Sequence, residues 1–401
     1  MADSRFVFIE NNFEDAEISR PSLTYWQDAW RRLKKNKLAM VGVVAIILIV
    51  LFAVLGPLTT GVSYSDQQNK FKNLPPLLET FDIGENKNLY LSKDYNMFLI
   101  DDQGEVVERI EVDKLKKDML KKVYVYNMME GDVKIPVTLD FSYNLLPTKM
   151  GYDYNFTIEV EGTTYMYSDD TKLNRSFPFG TDDLGRDILT RVMYGTRISL
   201  MIGLIATVVN LVIGIFYGSI AGYEGGNVDN IMMRIIDIID SVPLVLYVIL
   251  LMVTFQNNDG LVNIIIALST VYWVSMARLV RGQMLSLKEQ EFVLAARVIG
   301  VPKRKIIVRH LIPNAMGPII VAMTMMIPSA IFTEAFLSFI GLGVSAPQAS
   351  LGTLCNNALS GLLTYPYQLL FPAVTIALVI LAFNFLGDGL RDALDPRLRK
   401  G

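Results

Sequence analysis

The sequence is almost empty of cysteine and histidine. Its 401 residues hold one of each, Cys355 and His310. A single cysteine forms no intrachain disulfide, so nothing in the chain is stapled covalently, and a small buried apolar side chain is its simplest role. A lone histidine builds no metal centre, and packing at an interface accounts for it. Charge is scarce as well: Asp, Glu, Lys and Arg make up 19% of the chain against 52% hydrophobic residues. That balance is too apolar for an ordinary soluble protein. A phosphate-binding loop is also missing. Residues 180–186 (GTDDLGR) imitate its glycine spacing, but Arg186 and Asp187 stand where Lys and Ser or Thr are needed, and an aspartate there repels phosphate.

Charge is absent in blocks. Residues 38–65, 198–223, 241–258, 260–277 and 311–333 carry none. Residues 335–387 carry none either, but glycines, asparagines and prolines break the middle, leaving 369–387. A helical span needs roughly 20 apolar residues, which predicts six spans. The first begins too far in and runs too long for a cleaved signal peptide. Basic residues gather beside the spans. Arg31, Arg32, Lys34, Lys35 and Lys37 precede the first; eight Lys and Arg lie between Arg278 and His310; Arg391, Arg397, Arg399 and Lys400 follow the last. Positive flanks stay in the cytoplasm, and six spans bring all three clusters to one side, with both termini cytoplasmic.

Within the cytoplasmic N-terminus, 1–37, Trp26, Ala29, Trp30 and Leu33 repeat at helical spacing beside the lysines, and Thr24 and Gln27 are spaced for a capping box. An interfacial elbow helix is the reading these residues favour over a plain anchor for the first span, 38–60, and both readings are architectural. Residues 61–177 are of another kind. They hold 14 basic and 20 acidic residues, with strand-like runs such as NLYLS and VYVYN between turn signals and a helix expected around 111–122. This is an inserted extracellular α+β domain, without histidine, cysteine or any catalytic constellation. The remaining residues, 178–401, form a five-helix core.

Inside that core, residues 282–314 make a loop with an internal pattern; its 289–314 portion reads EQEFVLAARVIGVPKRKIIVRHLIPN. Phe292, Ala295, Ala296 and Ile299 recur at i, i+3, i+4 and i+7, one helix face. Gly300 is placed to end that helix, Pro302 to begin a second, and Pro313 to mark the return to the bilayer. An amphipathic hairpin that merely links two spans has the same look.

The stretch resembles the coupling-loop signature of ABC importer permeases, with Ala295, Ala296, Gly300 and Pro313 in their places and Leu294, His310 and Ile312 departing from it. FGTDDLGRDILTRVMYGTRISL (179–200), AGYEGGNVDNIMMRIIDII (221–239), EAFLSFIGLGVSAP (334–347) and LGDGLRDALDPRL (386–398) resemble the C-type subunit of the oligopeptide, dipeptide and nickel importers. The likeness covers 22–60 and 177–400; ordinary members have a much shorter outer loop in place of the insertion. It implies a type I ABC importer permease fold: an all-α polytopic membrane protein of six transmembrane helices in a bacterial plasma membrane. It implies import of short peptides, with the nickel branch as the alternative, and no catalysis by this chain. Glu291, Phe292, Leu294, Ala295, Ala296, Ile299, Gly300 and Pro313 would contact a cytoplasmic ATPase. The implied partners are a homologous second permease, two ATPase subunits that bind the ATP, an extracellular substrate-binding protein, the peptide and membrane lipid. No cofactor, metal or nucleic acid is expected on this chain. Glu334 and Met326 are candidates for the translocation path, Glu334 equally for packing around the glycines that follow it. An ATP-independent carrier is the other class of reading, but no span carries a charge at its centre; six spans are excessive for an adhesion anchor.

Overall fold

A computed structural model describes residues 24–130, 133–142, 156–165, 170–255, 260–344 and 346–395. Helix α1 (Tyr25–Lys35) opens on the expected capping box: the Thr24 hydroxyl accepts from the Gln27 N–H at 3.4 Å, and Gln27 Oε1 accepts from the Thr24 N–H at 3.0 Å. Its apolar stripe divides, Ala29 and Leu33 turning inward while Trp26 and Trp30 stay exposed. Asn36 then caps α2 (Lys37–Thr59), accepting from the Ala39 N–H at 3.2 Å.

The insertion follows. Its strands are β1 (Leu77–Gly84), β2 (Lys87–Leu91), β3 (Met97–Asp101), β4 (Val106–Val112), β5 (Val123–Glu130), β6 (Val133–Asp140), β7 (Thr157–Val160), β8 (Thr163–Tyr165) and β9 (Asp170–Leu173). All neighbours pair antiparallel, in the order β8-β7-β6-β5-β4-β3-β2-β1-β9. A flat sheet would hold β1 and β7 about 29 Å apart, six spacings of about 4.8 Å. Yet Phe81 of β1 and Phe156 beside β7 have ring centres 5.8 Å apart, so the sheet is rolled around one core containing Leu89, Leu99, Tyr126, Val137 and Ile158. The opposite face of β1–β3 packs Leu78, Tyr90, Phe98 and Ile100 against Leu74 and Phe177. Burial on both faces explains the unbroken apolar run in β3. The helix expected around 111–122 is absent. β4 runs to Val112, and the Asp113 and Asp118 carboxylates accept from the N–H groups of Leu115, Leu120 and Lys121, a turn-forming habit of aspartate that competes with helix. The described residues of the insertion supply the β part of the expected α+β domain, with one 3₁₀ turn, Asn69–Phe71.

The bundle continues with α3 (Ile188–Glu224), α4 (Gly226–Asp240), α5 (Leu244–Thr254), α6 (Gly260–Val271), α7 (Trp273–Leu287), α8 (Glu291–Val298), α9 (Lys303–Ile306), α10 (Ile312–Leu337), α11 (Leu351–Ala358) and α12 (Tyr367–Leu394). Five stretches are long and apolar enough to cross a membrane: 37–59, 188–224, 260–287, 303–342 and 367–394. The third span expected, 241–258, is not a straight helix. α4 and α5 meet at an 80° bend at Pro243, which lacks an N–H to continue a helix, and the 11 residues of α5 reach only about 16 Å. Together the bent pair still carries the chain from one end of the bundle to the other. Asp229 in α4 pairs with Arg281 near the end of α7, whereas Gly260 packs on the Gly343 backbone beyond α10.

Close approach of α3 and α7 depends on glycine. A Cβ on Gly214 would sit 2.5 Å from Met276 Cγ, on Gly218 2.8 Å from Val280 Cβ, and on Gly222 2.7 Å from the Arg281 carbonyl oxygen. Three glycines four residues apart clear one ridge of α3 for a neighbouring backbone.

Candidate functional site

The loop between α7 and α10 forms a compact hairpin. α8 ends at Gly300, whose φ is +78°. The Gly300 N–H donates to the Arg297 carbonyl at 3.0 Å and the Val301 N–H to the Ala296 carbonyl at 3.0 Å, the paired bonds of a glycine-terminated helix. Pro302 precedes α9 as expected, and a wide turn, Ile307–Leu311, leads into α10.

The faces of α8 differ from the sequence reading. Val293 and Ala296 are buried against Ile306, Leu311 and Ala315, Ala296 to 6% exposure. It therefore does not share an open face with Phe292 and Ile299. The outward side carries Glu291, Phe292, Leu294, Ala295, Ile299 and Gly300, and also Val298, which periodicity overlooked. Val298 is 87% exposed and Ile299 78%. Apolar side chains this bare on a well-packed hairpin mark a contact surface. Pro313 is exposed beyond them, at the start of α10.

Ion pairs hold the hairpin against the ends of α3 and α4. Arg281 Nη2 donates to Asp229 Oδ2 at 2.6 Å, Lys303 Nζ to Glu224 Oε2 at 2.8 Å and Lys288 Nζ to the Gly222 carbonyl at 3.1 Å. The Arg297 guanidinium lies 5.2 Å from the Tyr223 ring centre, a cation–π distance. Arg278 reaches Asp240 at 2.8 Å and Asp237 at 3.2 Å, so these aspartates are ion-paired. Sequence reasoning missed Tyr223, Glu224 and Asp229. Their signal was available in AGYEGGNVD, but nothing in it says which basic residues come opposite.

Residues 24–76 match the family described as the N-terminal TM domain of oligopeptide transport permease C, and residues 214–400 match that of the binding-protein-dependent transport system inner membrane component. The oligopeptide transport system permease protein OppC of Bacillus subtilis (strain 168) is 40% identical over 390 residues, 97% of this chain and 95% of that protein. This chain belongs to the C-type permeases of the oligopeptide and dipeptide importer family. The dipeptide transport system permease protein DppC of the same organism is 38% identical over 98% of this permease and 92% of that one. The OppC of Escherichia coli (strain K12) is 46% identical over 221 residues, 55% of this permease and 72% of that protein. The insertion accordingly lies within the length aligned with the Bacillus proteins, which narrows the expectation that relatives lack it.

Elsewhere in this permease, Glu334 is fully buried. Its Oε2 accepts from the Ser199 hydroxyl at 2.6 Å and its Oε1 from the Ser338 hydroxyl at 2.8 Å. Within this chain it pins α3 to the end of α10. Met326 is half-buried at the edge of the cluster beneath α8. Cys355 is buried, and burial pushes its thiol up to about 11, so it stays protonated at neutral pH. Residues 180–187 are filled by their own side chains: Asp182 accepts from the Leu184 and Arg186 N–H groups at 2.9 Å, leaving no cradle for phosphate. No cluster of metal-ligating side chains occurs among the described residues.

Proposed function

We propose that this permease is the membrane subunit of an ATP-driven importer of short peptides and that the hairpin between α7 and α10 is its contact with a cytoplasmic ATPase. The observation that carries the reading is the exposed apolar side of α8, Phe292, Val298 and Ile299, presented by a hairpin with a buried inner face and an ion-paired base. A rigid tip at the end of two membrane helices transmits displacement, because each ATPase conformation makes a different contact with it. The end of the bundle bearing the hairpin also holds the start of α2 and the end of α12, with Asn36 Nδ2 donating to Asp392 at 3.5 Å. Its basic flanks support a cytoplasmic setting for that end in a bacterial cell, with the rolled sheet outside. Two ATPases hold the ATP; this chain needs no cofactor. A homologous second permease supplies the other half of the path, and an extracellular binding protein delivers the peptide to the end where the sheet sits. The sheet's net acidity suits it to steering that protein.

The test is a double substitution, Val298→Asp with Ile299→Asp. Both side chains are exposed, so the subunit should reach the membrane with its melting temperature unchanged while its affinity for the ATPase falls at least about tenfold, as expected for a small apolar hot spot. Normal ATPase retention and peptide uptake in the double variant would refute the docking assignment.

A further inference from the structure

One guanidinium in the core is buried without its hydrogen bonds. Arg191, in the first turns of α3, is 2% exposed, and its Nε and Nη1 have no partner. The nearest carboxylate oxygen, Asp182 Oδ2, stands 3.6 Å from Nε and already accepts from Arg186 Nε at 2.7 Å. A buried, incompletely paired cation is costly, so the site calls for an acceptor.

Arg191 lines a cavity of about 220 Å³ between the start of α3, the turn after α10, the residues Ala346, Pro347 and Gln348, and α11. Among the described residues, Arg186 and Arg191 are the charged ones on its wall; Ser338, Gln348, Thr353, Asn356 and Asn357 supply polar atoms. Gln348 Oε1 is likewise buried with no donor. Glu334 is set back from the wall, its oxygens occupied by Ser199 and Ser338. The cavity therefore lacks one anionic acceptor and one N–H donor. Its volume is below the roughly 300 Å³ at which whole-ligand pockets begin, which suits the end of a chain.

The last residue of a peptide carries both missing groups side by side, a carboxylate and its own amide N–H. We propose that this cavity binds the C-terminal carboxylate of the transported peptide, Arg191 donating to the carboxylate and Gln348 Oε1 accepting from the terminal amide. The inference rests on the peptide-importer reading and adds a recognition site in the permease itself. It lies at the end of the bundle where the rolled sheet is attached, since Arg186 belongs to the same 180–187 segment that bonds to Leu74.

The complete importer with its binding protein, reconstituted in vesicles, is tested with one peptide as free acid and as C-terminal amide. The wild type should carry the acid about tenfold faster or more, the size of effect of a hydrogen bond to a charged group. Arg191→Gln should slow the acid, leave the amide unchanged and bring the two rates within about twofold; Arg191→Lys should keep part of the preference. The binding protein is the same throughout, so its own preference cancels. An equal fall for both peptides, or an unchanged ratio, would overturn the proposal. So would weaker docking of peptide-free binding protein with the ratio unchanged, because the carboxylate would then belong to that protein. Should Arg191→Gln fail to reach the membrane, Gln348→Leu decides: a peptide N-methylated at its last amide, slower in the wild type, should match its parent in the variant, and a persistent gap overturns the assignment. Absence of all peptide uptake by the wild type would instead refute the importer reading.

Discussion

The two ends of the helical bundle solve opposite problems. Where the rolled sheet attaches, the polar groups of the joint are tied together within the chain, whereas Arg191 and Gln348 in the adjoining cavity keep unpaired atoms. Thr181 exchanges bonds with Leu74, its N–H donating to the Leu74 carbonyl at 2.8 Å and its hydroxyl accepting from the Leu74 N–H at 2.9 Å. The Tyr367 hydroxyl and Gln368 Nε2 donate to the Thr181 carbonyl at 3.0 and 3.2 Å, and Lys93 Nζ to the Thr364 carbonyl at 2.9 Å. At the other end the hairpin is braced below and left bare above. The difference teaches that satisfied polar contacts suit a scaffold, whereas a braced surface with exposed apolar side chains suits the docking role proposed for it.

Several changes should break or sharpen this contrast. The largest effect belongs to Gly218→Leu. Its Cβ would lie 2.8 Å from Val280 Cβ and 3.0 Å from the Arg281 nitrogen, atoms of a helix that cannot yield locally. A cost of about 3 kcal/mol or more is expected, visible as loss of monodisperse subunit in detergent; recovery at wild-type yield contradicts the glycine-ridge account. Next comes Asp229→Ala, which strands Arg281 at the base of the hairpin. With Arg281 a third exposed, about 1–2 kcal/mol is expected after solvent screening, together with faster amide exchange across 288–300 while the rolled sheet is unaffected. Excising 77–173 and joining Pro76 to Asn174, whose N–H already donates to the Pro76 carbonyl at 2.9 Å, should leave ATPase association intact but weaken salt-sensitive capture of the binding protein. Equal capture would make the sheet ornamental. The smallest effect is Lys303→Ala: the pair with Glu224 is solvent-exposed, so no measurable change in melting temperature should follow.

Structure also alters which substitutions are informative in the hairpin. Ala296→Trp, attractive as a docking block, now forces a ring into the packing beneath α8, and Gly300→Trp strains a backbone at φ +78°. Ala295→Trp is the cleaner probe, because Ala295 is exposed.

Much of this molecule is written locally. Uncharged runs, the Thr24–Gln27 capping box, Gly300 with Pro302 and the change of composition at 61–177 are legible because each depends on neighbours in sequence. The sequence alone therefore determined a membrane bundle, a separate polar insertion and a patterned loop between spans. Only tertiary structure decided that Ala296 faces inward and Val298 outward, because a short helix with apolar residues on several sides is oriented by whichever surface it meets first. Only tertiary structure bent 226–254 into two helices, set Glu224 and Asp229 opposite Lys303 and Arg281 across more than fifty residues, and rolled the strands into one core. It also left Arg191 Nε and Nη1 without hydrogen-bond partners, a matter of distances between chain segments that no local pattern encodes.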